Sequence, residues 1–196
     1  IKPRNYMPEP PLKVKKHMQV KRNVPSNCIL MAFHMSDRLS ESFYAATLIS
    51  RLLSKGFSSR LYQSLVINEK IFTKIETFLG EDLEPSLFYI KGILFDGVNY
   101  QTAQHKIESE LDRLCKNNIT EAELNGVIKK NESTILFSYV DNSCKALDLA
   151  VGELLGKSNL INSQILTYNN FNSKKIIEEA NNLFNKKKSI TLFYGK

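Results

Sequence analysis

The pattern of apolar and polar residues changes several times along the chain, and each change marks a predicted element. Leu12, Val14, Met18 and Val20 alternate with polar residues, which predicts a strand with one buried and one solvent-facing side. The run 28–35 is almost continuously apolar, as in strands that are buried on both faces. We therefore expect this second strand to lie in the middle of a sheet.

A helical period follows the second strand. Apolar residues recur about every four positions over 44–53, which predicts an amphipathic helix. Gly56 stands where a helix C-cap needs a left-handed residue, so we expect the helix to end there. The serines that come next can cap a second helix, which carries Leu61, Leu65 and Val66 on one side.

Two further strand patterns, 71–79 and 87–95, flank the sequence GEDLEP. Gly80 and Pro85 in that sequence are typical of a hairpin connection. We therefore expect the two strands to be antiparallel neighbours.

The second half of the chain is mainly helical. Thr120 followed by Glu123 is a capping box, which predicts the start of a helix. The helix after it is expected to pack through a face of Ala146, Leu147, Ala150, Val151 and Leu154. A last strand is predicted over 190–194. Together these elements predict an α+β domain with a mainly antiparallel sheet of about five strands and helices stacked on one face.

The prolines indicate where this domain begins. Four of the six prolines lie within the first eleven residues. We interpret residues 1–11 as the end of a proline-rich linker and residues 12–196 as a single domain. The chain starts with Ile1 and a linker, which is typical of a segment taken from a longer protein.

The charge does not single out a nucleic-acid partner. The net charge is +7, but the basic residues are spread along the chain and two short lysine clusters lack interleaved aromatic residues. A salt-sensitive nucleic-acid module is therefore the least favoured class. No apolar run approaches the roughly 20 residues that a membrane-spanning helix needs.

The sequence contains no complete motif for metal binding or for a catalytic nucleophile. His17, His34 and His105 are scattered, and neither HExxH nor HxxEH occurs, so the paired histidines that hold zinc on a helix are missing. We expect no catalytic residue and no metal ligand in this chain.

One segment nevertheless points to a family. GFSSRLYQSLVINEK, residues 56–70, together with AFHMSDR before it and EAELNGVIKKNESTILF after it, resembles the second half-domain of bacterial M16 metallopeptidases. This is the pitrilysin and mitochondrial-processing-peptidase family. The resemblance extends over nearly the whole chain and implies an M16 half-domain of the metallohydrolase type.

The resemblance implies a partner and a cofactor. M16 enzymes enclose an unfolded peptide between two similar halves, and the first half carries HxxEH and zinc, which activates water for amide hydrolysis. Zinc is therefore expected in an upstream or partner half, in the same chain or in a separate subunit. The resemblance also allows a homodimer, and its exported bacterial members suggest a cell-envelope location.

The site residues of active relatives are not matched here. Their second half supplies an arginine and, seven residues later, a tyrosine near the zinc, and these positions correspond to Val66 and Thr73. Arg60 and Tyr62 are interpreted instead as a scaffold between helix and sheet, or as part of the chamber wall. Two functions stay open: the substrate-enclosing half of a zinc endopeptidase, or a non-catalytic M16 partner subunit.

Overall fold

The fold is taken from a computed structural model, which describes residues 12–196 apart from 13, 81–84 and 117–118. The strands are β1 Lys16–Lys21, β2 Cys28–Met35, β3 Phe72–Leu79, β4 Ser86–Leu94 and β5 Ser189–Gly195. The α-helices are α1 Glu41–Ser54, α2 Tyr100–Cys115, α3 Glu121–Ser138, α4 Asn142–Leu154, α5 Leu160–Asn169 and α6 Ser173–Leu183. Two short helical segments, Tyr62–Asn68 and Lys186–Lys188, complete the described elements.

The five strands form one sheet in the order β1-β5-β2-β4-β3. β2 pairs antiparallel with both β4 and β5, and β3 pairs antiparallel with β4. Only the β1–β5 pair among them is parallel. The predicted antiparallel pairing of β3 and β4 and the central place of β2 are therefore confirmed.

The helices pack on one face of the sheet. Ile29, Met31 and Phe33 of β2 are almost fully buried, whereas the residues that alternate with them reach the other face. Phe184, just after α6, contacts the rings of Phe33 and Phe88 edge-on at 5.3 and 5.4 Å. Such aromatic pairs add to the burial of apolar area. The predicted α+β class, with helices on one face, is confirmed.

A glycine in β4 makes room for this core. Gly92 faces the helices, and a Cβ atom at this position would lie only 2.4 Å from Cε1 of Phe72. Because real Cβ atoms never approach so closely, any larger residue would displace the Phe72 ring. The close approach of β3 and β4 at this point therefore requires glycine.

Side-chain caps fix the helix starts. The hydroxyl of Thr120 accepts the backbone N–H of Glu123 at 3.2 Å, which confirms the predicted start of α3. The cap of α4 is Asp141, which accepts the N–H of Ser143 at 2.8 Å. Gly56 has a φ of +99°, as predicted for the end of α1.

Two predicted packing faces are wrong. Val14 is 63% exposed and precedes β1, whereas Met18 is 56% exposed because β1 is an edge strand and Met18 lies on the face of the sheet away from the helices. Leu147 and Leu154 of α4 are 65% and 72% exposed, because α4 packs mainly against α5 and buries Gly152. The predicted linker 1–11 and most of the GEDLEP connection lie outside the described residues.

Candidate functional site

The segment 56–70 leads from the end of α1 into the edge strand β3. Ser59 closes the turn by donating its hydroxyl to the carbonyl of Gly56 at 2.7 Å. Leu61 and Leu65 are fully buried and anchor the segment in the core. The segment is therefore held by its leucines, and the residues between them stay nearer the surface.

The end of this segment is wound wider than an α-helix. The N–H of Glu69 donates to the carbonyl of Ser64, five residues back, and the N–H of Ile71 donates to Leu65, six residues back. Wide turns of this kind are rare and often occur at functional sites. Lys70 follows with a φ of +52°, a left-handed conformation that is costly for a residue with a Cβ.

Arg60 and Tyr62 each have a structural contact. Arg60 forms two hydrogen bonds with the carboxylate of Glu123, Nε to Oε1 at 2.8 Å and Nη2 to Oε2 at 2.6 Å. The ring of Tyr62 contacts that of Phe57 edge-on at 5.5 Å. Glu123 thus completes only half of its predicted capping box, because its carboxylate binds Arg60. The scaffold role of both residues remains a prediction.

Val66 and Thr73 lie on either side of the turn into β3. Val66 is half-buried and packs against the core. Thr73 is exposed at a bulge, where Phe72 and Lys74 are opposite adjacent residues of β4, and its hydroxyl donates to the carbonyl of Ile93 at 3.2 Å. Val66 has no side-chain donor, and the Thr73 hydroxyl is already used within the sheet.

The face of the sheet opposite the helices forms a second feature, which we call the open face. Cross-strand partners point to the same side, so pairing defines rows of side chains across it. The open-face rows are Phe78-Tyr89-Ala32-Ile190-Lys16, Glu76-Lys91-Leu30-Leu192-Met18 and Lys74-Ile93-Cys28-Tyr194-Val20. Most of these side chains are apolar, and each row crosses at least four strands.

Several open-face residues are accessible to solvent. Phe78 and Tyr194 are 39% and 38% exposed, and the rings of Phe78 and Tyr89 stack at 4.9 Å. A contiguous apolar surface of this kind is typical of a binding surface. The open face is therefore suited to an extended apolar ligand.

Four charged residues belong to the rows of the open face, Lys16, Lys74, Glu76 and Lys91. Glu76 is next to Lys91 across the strands and contacts Lys74 at 2.7 Å. Burial raises the pKa of the Cys28 thiol above its ordinary value, with Lys91 opposing the rise and Glu76 adding to it. The thiol is therefore neutral near pH 7 and contributes to the apolar character of the face.

The described residues contain no group of three or more His, Cys, Asp or Glu suited to hold a metal ion. His17 stacks on Phe193 at 6.2 Å, His34 lies on the open face opposite Leu87, and His105 is exposed on α2. None of the described helices combines the length and the apolar character required to cross a membrane.

A family model described as the peptidase M16 inactive domain matches residues 1–131. The chain belongs to this family. The matched range includes the segment 56–70, the bulge at Thr73 and four of the five strands of the sheet.

Solved structures show the same fold over most of the chain. A protease from Helicobacter pylori superimposes with a TM-score of 0.93 at 19% identity, covering 99% of this chain and 47% of its own. The inactive peptidase domain of a candidate zinc protease from Bordetella parapertussis gives 0.80 at 19% identity, covering 89% and 95%. A peptidase M16 inactive domain from Pseudomonas fluorescens gives 0.78 at 14% identity, covering 97% and 45%. No curated protein matches the chain.

These shares show that the M16 chain spans about half the length of the Helicobacter pylori protease and nearly all of the Bordetella domain. The open face was not singled out from the sequence. Its signal was present in β4 and β5, where Tyr89, Ile93, Leu192 and Tyr194 alternate with buried residues. In a sequence, apolar residues on both sides of a strand indicate that both sides are buried, but in β4 and β5 one side faces solvent.

Proposed function

We propose that this M16 domain is the substrate-enclosing, non-zinc-binding half of a two-part zinc endopeptidase. In this proposal the open face forms part of the wall of a chamber, and a second half that carries zinc forms the rest. The family match supports the proposal, and so does the chain's coverage of only 47% of the Helicobacter pylori protease. Hydrolysis of the amide bond would take place on the other half.

The open face is the observation that carries the proposal. An unfolded peptide exposes apolar side chains at alternate positions, and the apolar rows offer matching contacts across several strands. Burial of such contacts contributes about 25 cal/mol per Å² of apolar area. Most side chains of the rows are apolar, so the open face by itself is expected to discriminate little among apolar sequences.

Peptide cleavage tests this function directly. A pool of unstructured peptides is incubated with the 196-residue chain alone, and with the chain joined to or mixed with a zinc-bearing M16 half. We expect cleavage only in the second case, loss of cleavage with EDTA, and recovery with zinc. Cleavage by the chain alone would contradict the assignment of zinc chemistry to the other half.

A variant of the open face tests the wall role within that assay. Leu192→Gln places an amide in the middle of the second row, and we expect it to raise KM about threefold to tenfold. Leu166→Gln on α5 is a matched control, because Leu166 is 67% exposed and lies on the helical side of the domain. Equal effects of the two variants would exclude the open face as the substrate wall.

The lack of free side-chain donors at Val66 and Thr73 favours a second function. Val66 cannot donate a hydrogen bond and Thr73 is engaged with Ile93, so neither reproduces the arginine and tyrosine of active relatives. This supports a non-catalytic partner subunit that stabilises an active M16 protein. Zinc content and cleavage of the complete assembly distinguish the two functions, since a partner subunit would form a stable complex without adding activity of its own.

A further inference from the structure

A shallow cleft of about 250 Å³ runs along α1 beside the end of β3. One wall consists of Phe43, Thr47 and Arg51, which follow each other at helical spacing on α1, and of Lys55 just past the end of that helix. The opposite wall consists of Phe78, Leu79 and Gly80. Arg38 also lines the cleft, with its guanidinium 5.7 Å from the centre of the Phe43 ring.

The described lining of this cleft carries three positive charges. Arg38, Arg51 and Lys55 line it, and no carboxylate is among its described lining residues. Lys130 adds a further charge nearby, because its ammonium contacts the carbonyl of Lys55 at 3.4 Å. Its described wall therefore combines positive charge with aromatic and aliphatic surface.

Arg51 lines this cleft from α1. Within the described part of the chain, its guanidinium forms no ion pair and makes one long hydrogen bond, 3.5 Å to the hydroxyl of Thr134. A guanidinium has five N–H donors, so most of them remain for a ligand or water. Burial lowers the pKa of Arg51 below its ordinary value because it removes water from the charge, and Tyr168 opposes the shift. An anion in the cleft would compensate that desolvation.

Phe78 connects the cleft to the open face. It is the first residue of the row Phe78-Tyr89-Ala32-Ile190-Lys16, and it also forms part of the cleft wall. Because Arg51 and Lys55 line the same cleft as Phe78, a peptide that continued past Phe78 and around the edge of β3 would enter the cleft. The edge of β3 is thus the point where apolar and cationic surfaces meet.

We propose that this cleft binds a carboxylate of a peptide, with Arg51 and Lys55 as its ligands and Phe43 and Phe78 as apolar contacts. The inference rests on the proposed function, because it assigns carboxylate-bearing peptides as the preferred substrates of the chamber. The carboxylate can belong to the peptide C-terminus or to an Asp or Glu side chain. Arginine is suited to both, since its planar fork matches the two oxygens.

Binding to the 196-residue chain tests the inference without any zinc half. Three fluorescent peptides of one apolar sequence are compared by anisotropy: one with a free C-terminal carboxylate, one amidated with an internal Glu, and one amidated and neutral. We expect at least one acidic peptide to bind about tenfold more tightly than the neutral one, and its advantage to shrink with added salt. The stronger of the two acidic peptides identifies the source of the carboxylate.

Variants locate the site. Arg51→Gln and Lys55→Gln should each remove most of the preference for the acidic peptide. Lys174→Gln on α6 is the control, because it makes the same change in net charge on an exposed residue outside the cleft. Arg51→Lys, which keeps the charge without the fork, should retain only part of the preference. Lys55 is exposed, so Lys55→Gln gives an answer even if an Arg51 variant unfolds.

The outcomes separate this inference from the proposed function. Equal binding of all three peptides, or an equal effect of Lys174→Gln, would overturn the cleft assignment even if the assembled enzyme cleaves peptides. Selective binding that is lost in the Arg51 and Lys55 variants would support the assignment even if no assembly cleaves. Binding of a short oligonucleotide in preference to all three peptides would also overturn it.

Discussion

The guanidinium of Arg60 contacts both carboxylate oxygens of Glu123, at 2.8 and 2.6 Å, across 63 residues of sequence. The two side chains are only 18% and 34% exposed, so the pair is partly shielded from water. Glu123 also lies in the first turn of α3, where a negative charge is favourable. The ion pair thereby fastens the start of segment 56–70 to the helical layer.

This geometry predicts a stabilising role for Arg60. In a double-mutant cycle with Arg60→Ala and Glu123→Ala, we expect a coupling free energy of about 1 to 2 kcal/mol, because the ion pair is bidentate and partly buried. Urea unfolding of the four proteins gives this value. Glu41 and Lys175 form a control pair at 2.9 Å with exposures of 62% and 47%, for which we expect about 0.5 kcal/mol or less. Equal couplings would refute the scaffold interpretation of Arg60.

The edge of β3 is closed by a serine of α1. The hydroxyl of Ser54 accepts the backbone N–H of Thr77 at 2.7 Å, and Ser50 and Ser54 both contact the hydroxyl of Thr77, at 2.8 and 2.7 Å. An open edge strand presents unpaired backbone groups to other chains. Ser54 accepts a hydrogen bond from one of these groups, the N–H of Thr77, and so limits pairing with other chains at this edge.

We therefore expect Ser54→Ala to lower the free energy of unfolding by about 1 to 2 kcal/mol, since it leaves the N–H of Thr77 without its acceptor. It should also increase self-association through β3, which analytical ultracentrifugation at several concentrations detects. Ser58→Ala is a suitable control, because Ser58 is exposed and lies in the turn after α1. Unchanged stability and association in Ser54→Ala would mean that water replaces the serine at no cost.

Lys70 carries backbone strain that glycine would relieve. A φ of +52° costs a residue with a Cβ about 1 to 2 kcal/mol. Replacement by glycine removes this cost, but part of the gain is lost because glycine makes the unfolded chain more flexible. We expect Lys70→Gly to raise the free energy of unfolding by roughly 0.5 to 1 kcal/mol, as measured by urea unfolding. Lys55→Gly should lower it, because Lys55 has an ordinary φ of −94°. The prediction fails if both substitutions change stability in the same direction.

The order of elements could be predicted because each depends on local signals. The apolar run of β2, the helical period of α1 and the Thr120 cap are all read within a few residues. The sequence of segment 56–70 also indicates the M16 family, and the match to the family model confirms it. Local pattern and global fold agree at these positions, as expected for natural sequences.

The orientation of faces could not be predicted, because it depends on distant partners. Met18 is apolar, yet it is exposed, since its strand pairs only with β5 at the edge of the sheet. Leu147 is exposed for the same kind of reason, because α4 has its main contacts with α5. The Arg51 cleft was also missed, since α1 and the end of β3 are brought together only by the fold.

Substitutions at Val66 and Thr73 test whether these two positions lie near the peptide bond that is cleaved. In an assembly with the zinc half, we expect Val66→Arg combined with Thr73→Tyr to raise kcat/KM about tenfold or more, because each donor that stabilises an oxyanion has a large effect. Stability should fall by about 1 kcal/mol, since Val66 packs against the core. Val66→Lys with Thr73→Phe is the matched control, which keeps charge and ring but removes the fork and the hydroxyl. A rise of the same size in the control, or no rise in either, would place these two positions away from the scissile bond and favour the partner-subunit function.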